Sequence, residues 1–167
     1  MTIYTLILIL LAIVLVWRVY KRVRGMMVSQ RSIMSRHYTG VGVFTGMVLV
    51  AVSETVNRPV ILTALLSATG IGIALGLHAL RRTRFNDQTE FFTPPVNIGL
   101  AVAMLFFARV MQIGVDYYIN QGSAPAQVFT DSPVTMAAVG LLGGYFGTYS
   151  AGLMRWRMVL RKRILRG

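Results

Sequence analysis

The stretch VILTALLSATGIGIALGLHAL (Val60–Leu80) is the clearest guide to the fold of this 167-residue chain, and Arg81 and Arg82 follow it directly. It contains no Asp, Glu, Lys or Arg, and it is long enough for a helix to cross a hydrocarbon core about 30 Å thick. An apolar stretch that ends in a pair of arginines is typical of a transmembrane helix that stops at a membrane surface.

The rest of the chain has the same character. Hydrophobic residues make up 55% of it and charged residues only 13%, whereas a soluble domain carries about 25% charged residues. The N-terminus lacks the basic region and the small-residue cleavage site of a cleaved signal, so we interpret it as a retained first span. The sequence predicts an all-α, single-domain membrane bundle with five transmembrane helices, at about 3–20, 39–56, 60–80, 94–118 and 134–154.

Basic residues define the expected orientation. The net charge is +12, which in a soluble protein would suggest nucleic acid as a partner. With five spans, however, all Lys and Arg residues except Arg58 and Arg109 fall on one side of the membrane. The positive-inside rule makes that side cytoplasmic, with the N-terminus outside and the C-terminus inside. Topology thus explains the charge, and nucleic acid is not an expected partner.

Polar residues form a stripe on the fourth predicted span. Arg109, Gln112, Asp116 and Asn120 fall within an arc of about 80° at the helical period. An arginine near the bilayer centre costs about 2.5–3.5 kcal/mol, so it normally faces the bundle interior and finds a partner. We predict a cluster of Arg109, Glu54 and Asp116 that opens to the outside. The cluster could be a structural ion pair, part of a solute or proton path, or a contact with lipid headgroups.

Small residues at a spacing of four form a second pattern. Lipid tails are as apolar as leucine, so membrane helices associate by close packing, which glycine permits. The first predicted span has almost no small residues, and we expect it to face lipid. The predicted helix-packing positions are Gly42 and Gly46, Gly72 and Gly76, and on the last span Gly140, Gly143, Gly144 and Gly147.

The chain offers little catalytic or metal-binding chemistry. It has no cysteine, which excludes disulfides and thiol chemistry. His37, in a predicted loop, and His78, near the inner end of the third span, are the only histidines, and no catalytic, cofactor-binding or metal-binding residue is assigned. The basic tail is expected to contact anionic lipid headgroups or a partner through Arg155, Arg157, Arg161, Lys162, Arg163 and Arg166.

One region resembles a known family. The helix GIGIALGLHAL ends in Arg81 and Arg82, and Asp87, Thr89, Pro95 and an apolar helix with Arg109 follow it. This part, from Gly72 to Arg109, resembles the CcdC-like family of small bacterial membrane proteins, which is named for its neighbourhood to cytochrome c maturation. The resemblance implies a small helical membrane protein, and it carries over no catalytic residues.

These observations favour a non-enzymatic multi-pass protein of a plasma membrane, expected to be the bacterial inner membrane. Its expected role is that of an accessory, scaffold or assembly subunit that packs against other membrane proteins or against further copies of itself. The alternatives are a small transporter or channel component that uses the outward-facing polar cluster, and, as the least favoured, an intramembrane enzyme.

Overall fold

The computed structural model describes residues 30–86, 91–119 and 130–164. The predicted first span and Asn120 lie outside these residues. The described part is helical apart from one small sheet. The helices are α1 (Met34–Thr55), α2 (Pro59–Arg82), α3 (Val96–Ile119) and α4 (Pro133–Ile164), and the strands are β1 (Gln30–Arg31), β2 (Arg84–Phe85) and β3 (Phe91–Thr93).

Three of the described helices are long and apolar enough to cross a membrane: α1, α2 and the part of α3 from Val96 to Asp116. The predicted fifth span is also helical and forms the first two thirds of α4. Its mean hydropathy is lower than that of the other three helices, because its middle is rich in Gly, Tyr, Ser and Thr. The all-helical class is therefore confirmed.

α4 is the central helix of the described bundle. It packs most extensively against α2, then against α1, and least against α3, whereas α1 and α2 touch each other only sparingly. The core is divided between two clusters along α4. Met136 and Val139 pack with Leu65 near its start, and Tyr145 packs with Ala79 and Val102 further along. A helix surrounded in this way needs less apolar surface than one that faces lipid, which explains its composition.

Two of the described helices begin at a proline. α2 begins at Pro59, and the side chain of its N-terminal cap residue, Arg58, makes no hydrogen bond to the first turn of the helix. α4 begins at Pro133, and the Thr135 N–H donates to the Ser132 hydroxyl. Proline fits these first turns because its missing N–H would have no helical partner there.

A three-stranded antiparallel sheet in the order β1-β3-β2 closes one end of the bundle, which we call the sheet end. β3 pairs on one side with β1 and on the other with β2, so it joins the segment before α1 to the segment after α2. The opposite end, with the Val56–Arg58 turn between α1 and α2, is the turn end. No strand was predicted here from the sequence.

Candidate functional site

Arg109 joins α3 to the first turn of α4 at the turn end. Its Nε donates to Thr135 Oγ1 at 3.0 Å, one Nη to Ser132 Oγ at 2.9 Å, and the other Nη to Gln112 Oε1 at 2.8 Å. Thr135 is almost completely buried, with 1% of its surface exposed. All three guanidinium nitrogens therefore have neutral oxygen acceptors; Thr135 lies in the first turn of α4, and Ser132 directly precedes that helix.

The structure does not assemble the predicted Arg109–Glu54–Asp116 cluster. Glu54 and Asp116 are both exposed, and among the described residues neither forms an ion pair with Arg109. Hydroxyl and amide oxygens replace the expected carboxylates. Arg109 contacts the helix start at Ser132, whereas the sequence placed it near the middle of a span. The helical period predicted correctly that Gln112 lies beside it.

A second arginine reaches the same helix start. Arg58, in the turn before α2, forms an ion pair with Asp131, directly before Ser132. Both side chains are partly exposed, at 46% and 39%. Two arginines from different parts of the chain thus converge on the N-terminus of α4, and Asp131 supplies a negative charge that suits the positive end of the helix dipole. This pair was not predicted from the sequence, although Arg58 directly precedes Pro59 and Asp131 lies two residues before Pro133.

Glycines make the α2–α4 contact possible. A Cβ added at Gly72 would lie 2.5 Å from the Leu141 carbonyl oxygen, and one at Gly76 would lie 2.8 Å from that of Tyr145. In return, Gly140 and Gly144 of α4 lie against the Leu65 and Thr69 carbonyls of α2. Because backbone faces backbone, no side chain can move aside to accommodate a larger residue.

The other two glycines of α4 face α1. Gly143 lies against the side chains of Val48 and Met47, and Gly147 is in ordinary contact with Phe44 and Thr45. The two overlapping four-residue spacings on α4 therefore serve two different neighbours. On α1, an added Cβ at Gly42 or Gly46 would meet nothing within 4 Å, so in the described bundle these two predicted packing positions face open space.

Sequence reading overlooked a tyrosine pair that α3 packs against. Tyr145 and Tyr149 stack in parallel with ring centroids 6.1 Å apart, and an added Cβ at Gly99 of α3 would lie 3.1 Å from the Tyr145 hydroxyl oxygen. The Tyr149 hydroxyl is 3.1 Å from Thr83 Oγ1 at the end of α2. The signal was the spacing of four between the tyrosines, which places them on one face of α4.

His37 and Trp156 fasten the sheet to the helices. His37 lies in the first turn of α1 rather than in a loop; it is buried, and its Nε2 is 2.8 Å from Ser32 Oγ. Trp156 packs against Phe85 of β2, with ring centroids 4.7 Å apart, and against Phe92 of β3. His78 is exposed on α2, so the two histidines share no environment.

The predicted basic tail is helical as far as Ile164. Trp156 places it beside the sheet, and α4, with 32 residues, is about 48 Å long, longer than a hydrocarbon core. Arg155, Arg161 and Lys162 are exposed, and Arg157 is partly buried. Arg163 lies in the helix, but its side chain and Arg166 are outside the described residues. Further described basic residues near the sheet are Arg36, Arg81, Arg82 and Arg84.

The family model described as CcdC protein matches residues 1–162. The chain belongs to the CcdC protein family. The resemblance carried by GIGIALGLHAL and the following residues is thereby confirmed, and it extends well beyond Gly72–Arg109 to include the predicted first span. No curated protein and no solved structure matches the chain significantly.

Within this CcdC-family chain, no group of three or more His, Cys, Asp or Glu residues in the described ranges could hold a metal ion. The site with the most specific geometry is therefore the convergence of Arg58 and Arg109 on the start of α4, together with the glycine contacts below it.

Proposed function

We propose that this CcdC-family protein is a non-enzymatic subunit of the bacterial inner membrane that scaffolds or assists the assembly of a larger membrane complex. It spans the membrane five times, with its N-terminus outside and the sheet end in the cytoplasm. The positive-inside rule supports this orientation, because Arg58 and Arg109 are the only described basic residues at the turn end.

The hydrogen bonding of Arg109 carries the proposal. A residue on a transport path must exchange partners with a solute or a proton, whereas each nitrogen of this guanidinium already has a protein acceptor. Two of the bonds hold α3 against the start of α4, so Arg109 acts as a structural clamp, a residue that fixes the position of one helix relative to another. A scaffold needs such fixed contacts between helices, and the backbone contact at Gly72 and Gly144 adds another.

The surface of α3 supports a subunit role. Among the described helices α3 touches mainly α4, and its large apolar side chains are exposed over most of its length, including Met104 (56%), Leu105 (60%) and Phe107 (48%). The helix is thus available to lipid or to a partner helix. In a bilayer, a partner would gain affinity there through close packing rather than through the hydrophobic effect.

A steric block on α3 tests the proposal. The protein carrying an affinity tag is purified in mild detergent from its own membranes, and co-purifying membrane proteins or further copies of the chain are quantified. We expect Leu105→Trp to reduce the yield of a stoichiometric partner several-fold. Leu66→Trp is the matched control, because Leu66 is similarly exposed on α2, at 51%. Recovery of a lone monomer from wild type, or equal loss from both variants, would contradict the subunit role on α3.

The transporter alternative rests on Glu54 and Asp116, which are exposed and unpaired among the described residues at the turn end. It predicts that Glu54→Gln with Asp116→Asn abolishes flux in proteoliposomes without changing stability. A scaffold predicts that complex assembly survives this double substitution. The same double variant therefore separates the two functions.

A further inference from the structure

An open groove runs along one face of α1 at the sheet end. Its volume is about 410 Å³, and its lining consists of Ser35, Arg36, Thr39, Gly40, Val43 and Phe44. Between Ser35 and Phe44 the helix rises about 14 Å. The residues change character along this length: the first three are polar or charged, and the last three are apolar.

Contacts with α4 fix the apolar half of the groove. Phe44 stacks on Phe146, with ring centroids 5.1 Å apart. An added Cβ at Gly40 would lie 2.6 Å from Ser150 Oγ, so α1 approaches α4 closely at this point. Val43 is 58% exposed and forms the open part of the wall. The groove is therefore bounded by a rigid helix contact rather than by a loop.

The polar half carries an available positive charge. Arg36 is exposed, and no carboxylate in the ranges that the structure describes pairs with it. The described carboxylates, Glu54, Asp116 and Asp131, belong to the turn end, and Glu54 is about 27 Å from Arg36 along α1. The Ser35 hydroxyl belongs to the same lining and can donate a hydrogen bond to a bound oxyanion, whereas the Thr39 hydroxyl donates to the Ser35 carbonyl at 2.9 Å.

We propose that this groove binds one anionic phospholipid of the surrounding inner leaflet. Its phosphate is held by Arg36 with the Ser35 hydroxyl, and one acyl chain lies over Gly40, Val43 and Phe44. Charge complementarity and the direction of the polar-to-apolar change point to a lipid, because a headgroup stays at the membrane surface while its chain extends into the hydrocarbon core. This site does not depend on the subunit role proposed above.

Lipid titration of the full chain tests the site. The protein is delipidated in mild detergent and titrated with phosphatidylglycerol or phosphatidylcholine, and bound lipid is counted by native mass spectrometry. We expect wild type to prefer phosphatidylglycerol by about tenfold. Arg36→Gln should remove most of that preference. Arg161→Gln, which removes the same charge from an exposed position of α4 outside the groove, should change it by less than about twofold.

A second variant probes the apolar half. Val43→Trp fills the groove without changing the charge, and we expect it to weaken the binding of both lipids several-fold. Helix content and elution volume of each variant are measured in parallel, so that loss of fold is distinguished from loss of lipid. Equal effects of Arg36→Gln and Arg161→Gln would show general charge attraction and overturn the proposal. So would lipid binding unaffected by Val43→Trp, or a wild type that retains no lipid because another segment or a second copy covers the groove.

Discussion

Gly72 of α2 lies against the carbonyl oxygen of Leu141 in α4, so close that an added Cβ would be 2.5 Å from that oxygen. Gly144 of α4 lies in the same way against the Thr69 carbonyl of α2. Each helix thus presents glycine to the backbone of the other. The distance between their axes is set by the absence of side chains rather than by how side chains interlock.

We therefore expect Gly144→Ile to disrupt the bundle. The new side chain would have to displace helix backbone, and overpacking of this kind costs about 1–3 kcal/mol or more. Gly46→Ile is the matched control, because its Cβ would meet open space. Thermal unfolding of the two variants in detergent measures the difference. If both midpoints shift equally, the α2–α4 contact does not have the geometry described.

The geometry also separates neighbouring glycines on α4. Gly143 faces mainly the side chains of Val48 and Met47, with the Phe44 carbonyl oxygen 3.3 Å from an added Cβ, whereas Gly144 faces the Thr69 and Ile73 backbone. Gly143→Ala should therefore be tolerated better than Gly144→Ala, because a shift of the Val48 and Met47 side chains costs less than the displacement of helix backbone. Midpoints in the reverse order, measured in the same unfolding assay, would contradict this reading.

Removal of an acceptor from Arg109 should be costly. Thr135→Val keeps the shape of a buried side chain but deprives the Arg109 Nε of its oxygen. An unsatisfied polar group of this kind costs about 1–3 kcal/mol. Glu54→Gln with Asp116→Asn should cost less than about 0.5 kcal/mol, since both carboxylates are exposed and unpaired among the described residues. The unfolding free energies of the two variants are measured by chemical unfolding. If the double variant were less stable than Thr135→Val, Arg109 would not act as a structural clamp through Thr135.

The Arg58–Asp131 ion pair should contribute little to stability. Both side chains are partly exposed, and water weakens the attraction between such charges to about 0–1 kcal/mol. Asp131→Asn should accordingly lower the unfolding free energy by less than about 1 kcal/mol, and about 1 M salt should reduce the effect further. A large loss that is insensitive to salt would mean that the pair is shielded in the complete protein.

Reporter fusions test the proposed topology. A reporter that works only in the cytoplasm should be active after Gly167 and silent when inserted at Gly122, because five spans place these sites on opposite sides. Activity at Gly122 would reverse the orientation or change the number of spans. A matched insertion at Asn57, in the turn between α1 and α2, should also be silent.

The helices could be predicted from sequence because hydrophobic length alone defines them. The predicted second to fifth spans all coincide with helices, and α2 differs from its predicted ends by only one residue at the start and two at the end. α4 runs ten residues past the predicted end at Met154, because hydropathy marks where the apolar stretch stops and not where the backbone stops being helical. Trp156 and Leu160, which is 5% exposed, give this extension its contacts.

The partners of Arg109 were beyond prediction for a different reason. Opposite charge was the only guide in the sequence, and it indicated Glu54 and Asp116. Ser132 and Thr135 are neutral, and their position beside α3 depends on how α4 packs. The sheet was missed because strands of two or three residues carry no periodic pattern, and their pairing joins residues as distant as Arg31 and Phe91.

The strand order has a consequence for how the chain could be divided. Residues 87–90 separate β2 from β3, so a cut there would leave β1, β2, α1 and α2 in one piece and β3, α3 and α4 in the other. β3 would still bridge both strands of its counterpart, and α4 would still meet α2 through the glycines. The two pieces, expressed separately, should therefore associate through these contacts without the covalent link, as the fragments of a split protein do.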